Sequence, residues 1–326
     1  MTAVKIEHLA PLWIAVSVAA CTSDSNGSAA PTNDAQAADS ASVDAATFGE
    51  LTALTYNVAG LPEGISGSHP ATNTQYISPL LDAYDLVLVQ EDWLTPNPNP
   101  TGFTVFHDIL AAQAHHPFQS TPAPCPLGNN PARPSALLSD GLNEFSTFEF
   151  RDLTRVPWDG CYGALGASEG ASDCGAMKGF YLAVHVISPG VEVDVYDLHG
   201  EAGSTASDQR LQEDDFRQLA AFINDRSAGH AVILGGDTNL HTESTNPDAA
   251  IWEGFLATTG LKDVCQSVDC GVDRTRIDKF AFRSSDAVTI APLSHRFERA
   301  KFVGPDGQPL SDHDALAVRF SWTKAR

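Results

Sequence analysis

The run Ala231-Val232-Ile233-Leu234-Gly235-Gly236-Asp237-Thr238-Asn239-Leu240-His241 passes from apolar side chains through two glycines to a carboxylate, a hydroxyl, an amide and an imidazole. Carboxylate and amide oxygens are the hard ligands that Mg²⁺ or Ca²⁺ prefers, and imidazole moves protons near neutral pH. Gly, Asp and Asn also make ordinary turns, so this stretch alone leaves site and turn open. The rest of the chain repeats the pattern. Asn57, Glu91 and His199 each stand where a β-prone run ends, Asp312 and His313 stand just before the last such run, and Asp278 lies inside another. Random surface polarity would scatter Lys, Ser and Thr among these positions. Oxygens and imidazoles together suit hydrolysis of a phosphate ester, which needs a divalent ion, an aligned water and a proton carrier.

The elements that must deliver these groups follow from hydrophobic spacing. Leu51 to Val58 alternates and is β-prone; Asp85 to Glu91, Tyr181 to Ile187, Val191 to Tyr196, Ala231 to Leu234, Ile277 to Phe282 and Ala315 to Trp322 read as further strands. Ser135 to Phe150 is expected to hold strand-like pieces around Ser139 to Leu142. Helical spacing occurs over Thr72 to Tyr84, Phe103 to His115, Ser207 to Arg226 and Pro247 to Thr258. Strands and helices mix without strict alternation, and several neighbouring strands are joined by short turns, which implies antiparallel pairs. The expected fold class is α/β, with two sheets packed face to face and helices outside, in one domain spanning residues 48 to 326.

Net charge is -22, from 19 Lys and Arg against 41 Asp and Glu. A surface this acidic repels a phosphate backbone and disfavours generic nucleic-acid binding, though not a nuclease whose site carries divalent cations. No apolar run is long enough to span a bilayer. Residues 1 to 21 read as a targeting segment: Lys5, then the short apolar run Leu9 to Ala20, then Val18-Ala19-Ala20-Cys21, which resembles a lipobox with Cys21 as the lipidation site. Residues 22 to 47, rich in Ala, Ser, Asn and Asp and without Lys or Arg, read as a disordered tether. The expected product is an exported bacterial cell-envelope lipoprotein, on the outer membrane or cell surface, or otherwise a secreted protein. No protein partner is implied, and a monomer is expected.

The stretches Thr55-Tyr56-Asn57-Val58, Gln90-Glu91, Asp197-Leu198-His199, Gly236-Asp237-Thr238-Asn239, Ile277-Asp278 and Ser311-Asp312-His313 together resemble the endonuclease/exonuclease/phosphatase superfamily. Its fold is a four-layered α/β/β/α sandwich of two mixed, largely antiparallel sheets. The resemblance implies Glu91 as the principal metal carboxylate with Asn57 close by and Asp312 beside the metal site. It implies Asp237 and Asn239 as the pair that aligns the attacking water, His199 as a contact to the phosphoryl group, and His313 as the acid/base, oriented by Asp278. The family motif stops at Asn239, so His241 is expected at the rim only. The implied cofactor is Mg²⁺, with Mn²⁺ or Ca²⁺ as alternatives.

Asp173-Cys174 followed by Lys178-Gly179, and His199-Gly200-Glu201-Ala202, are similar to segments of bacterial neutral sphingomyelinases. Departures are Asp197 and Leu198 where the family usually has Asn and Thr, and Lys279 where a Tyr is expected. Between Phe282 and Leu310 no paired exposed aromatics suited to entering a bilayer are evident. Lys178 and Arg276 are candidates to grip phosphate oxygens. The expected activity is a phosphodiesterase of sphingomyelinase or phospholipase C type, with its substrate a lipid head group or a nucleic acid. An exported endonuclease is the alternative, and a catalytically dead surface-binding module a further one. Six cysteines less Cys21 leave five; Cys265–Cys270 and Cys161–Cys174 are the expected disulfides in an exported protein, with Cys125 left over. No C-x-x-C spacing supports a zinc site.

Overall fold

The computed structural model describes residues 46–61, 66–94, 106–126, 131, 133–164, 170–243 and 247–325. The targeting segment 1 to 21, with Cys21, and nearly all of the tether 22 to 47 lie outside them. Alternation along the first strand sets the architecture. In β1 (Phe48–Asn57), Leu51 and Ala53 face a core between two sheets, whereas Leu54 and Tyr56 face a second core under helices. A strand apolar on both faces must be covered on both. The same division recurs in the other central strands.

Then follow α1 (Pro70–Ile77) with a 3₁₀ turn over Ser78–Ala83, β2 (Leu86–Gln90), α2 (His107–Ala111), β3 (Phe118–Gln119), β4 (Asn143–Ser146), β5 (Glu149–Pro157), β6 (Gly179–Ser188) and β7 (Val191–His199). The second half holds α3 (Ala206–Arg226), β8 (Val232–Asp237), α4 (Asp248–Thr259), β9 (Lys262–Asp263), α5 (Val264–Val268), β10 (Asp278–Arg283), β11 (Val288–Phe297) and β12 (Leu316–Lys324). One sheet runs β11-β12-β1-β2-β4-β3 and the other β5-β6-β7-β8-β10-β9. In each, one parallel pair, β1–β2 or β7–β8, is flanked by antiparallel neighbours.

Leu88, Val193, Val195, Ile233, Phe280 and Phe320 are among the side chains that fill the space between the sheets. On one outer face α3 and α4 pack Phe216, Leu219, Trp252 and Phe255 against Leu182, Tyr196 and Leu234. On the other, the α1 and α2 region packs Ile77, Leu81 and Leu110 against Leu54, Val87 and Val89. The result is the expected four-layered α/β/β/α sandwich. The long helix α3 starts where a capping box dictates: Thr205 Oγ1 accepts the Asp208 N–H at 3.3 Å and Asp208 Oδ2 accepts the Thr205 N–H at 2.8 Å. Among the described residues no helix is long and apolar enough to cross a membrane.

Two expectations shift. The strand near Ser139 to Leu142 begins only at Asn143, because Gly141 adopts φ 69° and breaks the extended backbone. Strand β11 was not anticipated; its register slips between Pro292 and Ser294, a bulge that blurs the period of two. The expected disulfides Cys161–Cys174 and Cys265–Cys270 both form, with Cα separations of 5.2 and 4.9 Å. Cys125 lies outside both, buried, with its thiol 3.2 Å from Leu94 O.

Candidate active site

Strand direction gathers the candidate residues on one rim. The parallel strands β1, β2, β7 and β8 end there, carrying Asn57, Glu91, His199 and Asp237. Strands β10 and β12 run antiparallel to their neighbours and begin there, so Asp278 and the Ser311–Asp314 turn join the same edge. In the register of the second sheet, Asp237 pairs with His199 on one side and Asp278 on the other. Ser311 Oγ donates to Asn57 O at 2.7 Å and ties the turn before β12 to the end of β1 within the first sheet; the Asn57 side-chain amide crosses to Asp237 on the second sheet.

That amide braces two carboxylates. Asn57 Nδ2 donates to Glu91 Oε1 at 3.0 Å and to Asp237 Oδ2 at 3.1 Å, while Asn57 Oδ1 accepts the Ala59 N–H at 3.0 Å. His199 Nε2 lies 3.6 Å from Asp237 Oδ2 and 4.0 Å from Glu91 Oε1. His313 Nε2 lies 3.7 Å from Asp237 Oδ2, and its Nδ1 is 3.0 Å from both oxygens of Asp278. Asn239 donates its backbone N–H to Asp237 Oδ1 at 3.0 Å and its side-chain amide to Gly200 O at 3.1 Å. Glu91 and Asn239 both hold left-handed backbone, φ 58° and 52°, a conformation that costs about 1 to 2 kcal/mol per residue and concentrates at functional sites.

Charge follows from this geometry. Burial would raise Asp237, but His313, His199 and Lys178 hold it below the usual carboxylate range. Burial pushes Glu91 and Asp278 up. Burial works against a charge on His313, yet the carboxylates of Asp278 and Asp237 outweigh it and bring the imidazole up to about 10. His199 is driven the other way, well below the ordinary value, by burial and then by Lys178, so it stands neutral.

Two buried or half-buried carboxylates, Glu91 and Asp237, bridged by one amide and faced by imidazoles, fit a divalent cation, because the donors are hard oxygens converging on one point. One oxygen each of Asp237 and Asp278 and a ring nitrogen of His313 also lie within 4.8 Å of one another. Asp312 is exposed, accepts the Ser311 hydroxyl at 3.3 Å, and stands beside this group rather than within the Asn57–Glu91–Asp237 contacts. Lys178 is buried, paired with Asp173 at 2.5 Å and donating to Gly200 O at 3.3 Å; it reaches the site as a fixed charge beneath it. Arg276 pairs with Asp314, next to His313, and lies over the Phe297 ring at 5.5 Å; it braces the rim. His241 is exposed, away from these contacts. Sequence reasoning missed Trp93. Its ring lies 5.9 Å from that of His199, and its place three residues past Gln90 was the available signal.

No family model matches the chain. The sphingomyelinase of Mycobacterium bovis is 30% identical over 293 residues, which cover 84% of this chain and 53% of that protein; the chain thus spans about half the length of the curated relatives it matches. Sphingomyelinase C from Streptomyces griseocarneus superposes with a TM-score of 0.56 at 18% identity, over 83% of this chain and 99% of that one. A Staphylococcus aureus beta toxin variant with bound magnesium ions superposes with a TM-score of 0.56 at 14% identity, over 83% and 99%. Strand order and these likenesses agree: the chain has the DNase I-like α/β sandwich fold and is a homologue of the sphingomyelinases over the matched stretch.

Proposed function

We propose that the protein is an exported, Mg²⁺-dependent phosphodiesterase of sphingomyelinase or phospholipase C type. The observation that carries this is the single rim on which Glu91, Asn57 and Asp237 meet the Asp278–His313 pair, with His199 facing the same carboxylates. Glu91 and Asp237 would hold a divalent cation, which would neutralise the charge that develops on the phosphoryl oxygens. The chain's own residues do the rest. Asp237, kept ionised and tied to the Asn239 backbone, orients the attacking water. Neutral His199 directs Nε2 toward the phosphoryl group. His313, charged and with its ring oriented by Asp278 at Nδ1, gives its Nε2 proton to the leaving oxygen. Magnesium in the beta toxin variant, and the sphingomyelinase relatives, support the metal and the substrate class. The domain from residue 48 is read as catalytic, monomeric, and tethered to the envelope through Cys21.

A panel of sphingomyelin, supercoiled plasmid and phosphomonoesters, each with Mg²⁺ or EDTA, tests the reading. Release of phosphocholine under Mg²⁺ supports it, whereas plasmid cleavage alone assigns a nuclease. His313→Ala and Glu91→Ala are expected to abolish Mg²⁺-dependent hydrolysis of bis-p-nitrophenyl phosphate; unchanged rates in both refute the site.

A further inference from the structure

A catalytic histidine usually has its ring fixed by a hydrogen bond to the nitrogen that does not work. His313 follows that rule through Asp278. His199 does not: its Nδ1 is buried and has no hydrogen-bond partner among the described residues, and its Nε2 contacts the carboxylates at 3.6 and 4.0 Å. The backbone is held, since the Trp158 indole donates to His199 O at 2.8 Å, but that bond does not set the rotation of the ring. What packs on the ring is Trp93, inclined at 37° and 3% exposed.

Trp93 is itself rigidly mounted. On its N-terminal side, Asp92 donates its N–H to Gly141 O at 3.0 Å, and its carboxylate is held by His107 at 2.5 Å and Asn143 at 2.9 Å. On its C-terminal side, Leu94 N–H donates to Ser139 Oγ at 2.9 Å and Leu94 O accepts the Ser139 N–H at 3.1 Å. Beneath the indole, Gly141 leaves the space a side chain would fill: a Cβ there would stand 2.5 Å from Trp93 Cε3. The indole N–H is buried without a partner among the described residues, so what the ring offers His199 there is its shape.

We propose that Trp93, seated on Gly141, is the positioning residue that fixes the His199 ring with Nε2 toward Asp237 and Glu91. Packing here replaces the missing hydrogen bond. The consequence for turnover rests on the phosphodiesterase reading; the consequence for the ring does not. The full chain is compared with Trp93→Phe and Trp93→Leu by long-range ¹H–¹⁵N spectra of the histidines, by thermal unfolding, and by hydrolysis of bis-p-nitrophenyl phosphate under Mg²⁺. The wild type and Trp93→Phe are expected to show one His199 tautomer, with kcat within about threefold of each other. Trp93→Leu is expected to show exchange between tautomers and a kcat at least about tenfold lower, with KM within about twofold. A wild-type His199 spectrum in Trp93→Leu overturns the proposal. So does a loss in Trp93→Phe as large as in Trp93→Leu, because the effect then lies in the indole N–H. If the wild type hydrolyses nothing, the functional reading fails while the tautomer spectra still decide the positioning.

Discussion

Replacing Asp278 by Asn removes the charge that faces His313 Nδ1 at 3.0 Å through two oxygens. Burial opposes a charged His313, yet Asp278, ahead of Asp237, lifts it from 6.5 to about 10. That rise corresponds to about 5 kcal/mol favouring the imidazolium in the folded protein. With the larger of two carboxylates gone, the imidazole is expected to fall by about two pH units, or about 3 kcal/mol. The sign follows from proton linkage. A base whose folded value is raised stabilises the fold fully below its unfolded value and loses that contribution as pH rises through the folded one. In EDTA, the wild type therefore loses its His313 contribution between about pH 6.5 and pH 10, and the variant loses about 3 kcal/mol less over the same window. Glu144 and Glu201, brought by burial to about 8 and about 7, also destabilise the fold as pH rises. They are common to both proteins and cancel in the difference. Urea unfolding at the two pH values, with the His313 ring signal followed by NMR, measures both quantities. A wild-type His313 that titrates near its ordinary value, or a variant whose titration is unmoved, refutes the reasoning. With the cation present, the same variant is expected to lose about 10² to 10⁴ in kcat, the range for a disabled acid/base group.

Glu91→Gln keeps the Asn57 contact but removes a carboxylate; saturating Mg²⁺ at about a hundred times its Kd is expected to stabilise the wild type by about 2.7 kcal/mol and the variant far less, read as a thermal shift. Glu144→Gln tests a carboxyl buried between the sheets, where it accepts the Tyr181 hydroxyl at 2.8 Å. Because a raised carboxyl loses stability as pH rises to its folded value, the variant is expected to gain about 4 kcal/mol on the wild type between pH 5 and pH 8 in denaturant titrations. Gly236→Ala places a Cβ 2.2 Å from Leu198 O at φ 147°; a loss of at least about 3 kcal/mol is expected from strained backbone and overpacking together, and a loss under 1 kcal/mol on the urea midpoint refutes the fit.

The candidate rim was legible where a strand ended on an oxygen or an imidazole, because period two and a sudden polar residue are both local signals. Asn57, Glu91, His199 and Asp237 are of this kind. What escaped was set by partners distant in sequence. Arg276 reads as a phosphate grip until Asp314 and Phe297 come up against it. Asp197, where the family usually has Asn, is turned between the sheets, taking the Gln90 amide at 2.6 Å, with burial raising it well above the ordinary carboxyl value. Lys279, where a Tyr was expected, is buried with its ammonium 3.2 Å from Thr242 Oγ1, and burial lowers it to about 8. Trp93 carries neither charge nor ligand atom, so a search for metal and proton chemistry passes over it. Strand β11 was hidden by its bulge, and β4 was displaced by one glycine whose φ cannot be read from its identity.

The hydrogen bond from Ser311 to Asn57 joins residues 254 positions apart, and this gives the site a place in time as well as in space. Loop closure over such a span is slow and comes after local pairing. Asp237, His199 and Asp278 come together with the second sheet, whereas His313 joins them when β12 pairs with β1. On the proposed mechanism, a molecule folded short of that step lacks its acid and does not turn over a phosphodiester. If the proposed roles hold, recovery of activity during refolding lags behind the recovery of sheet signal.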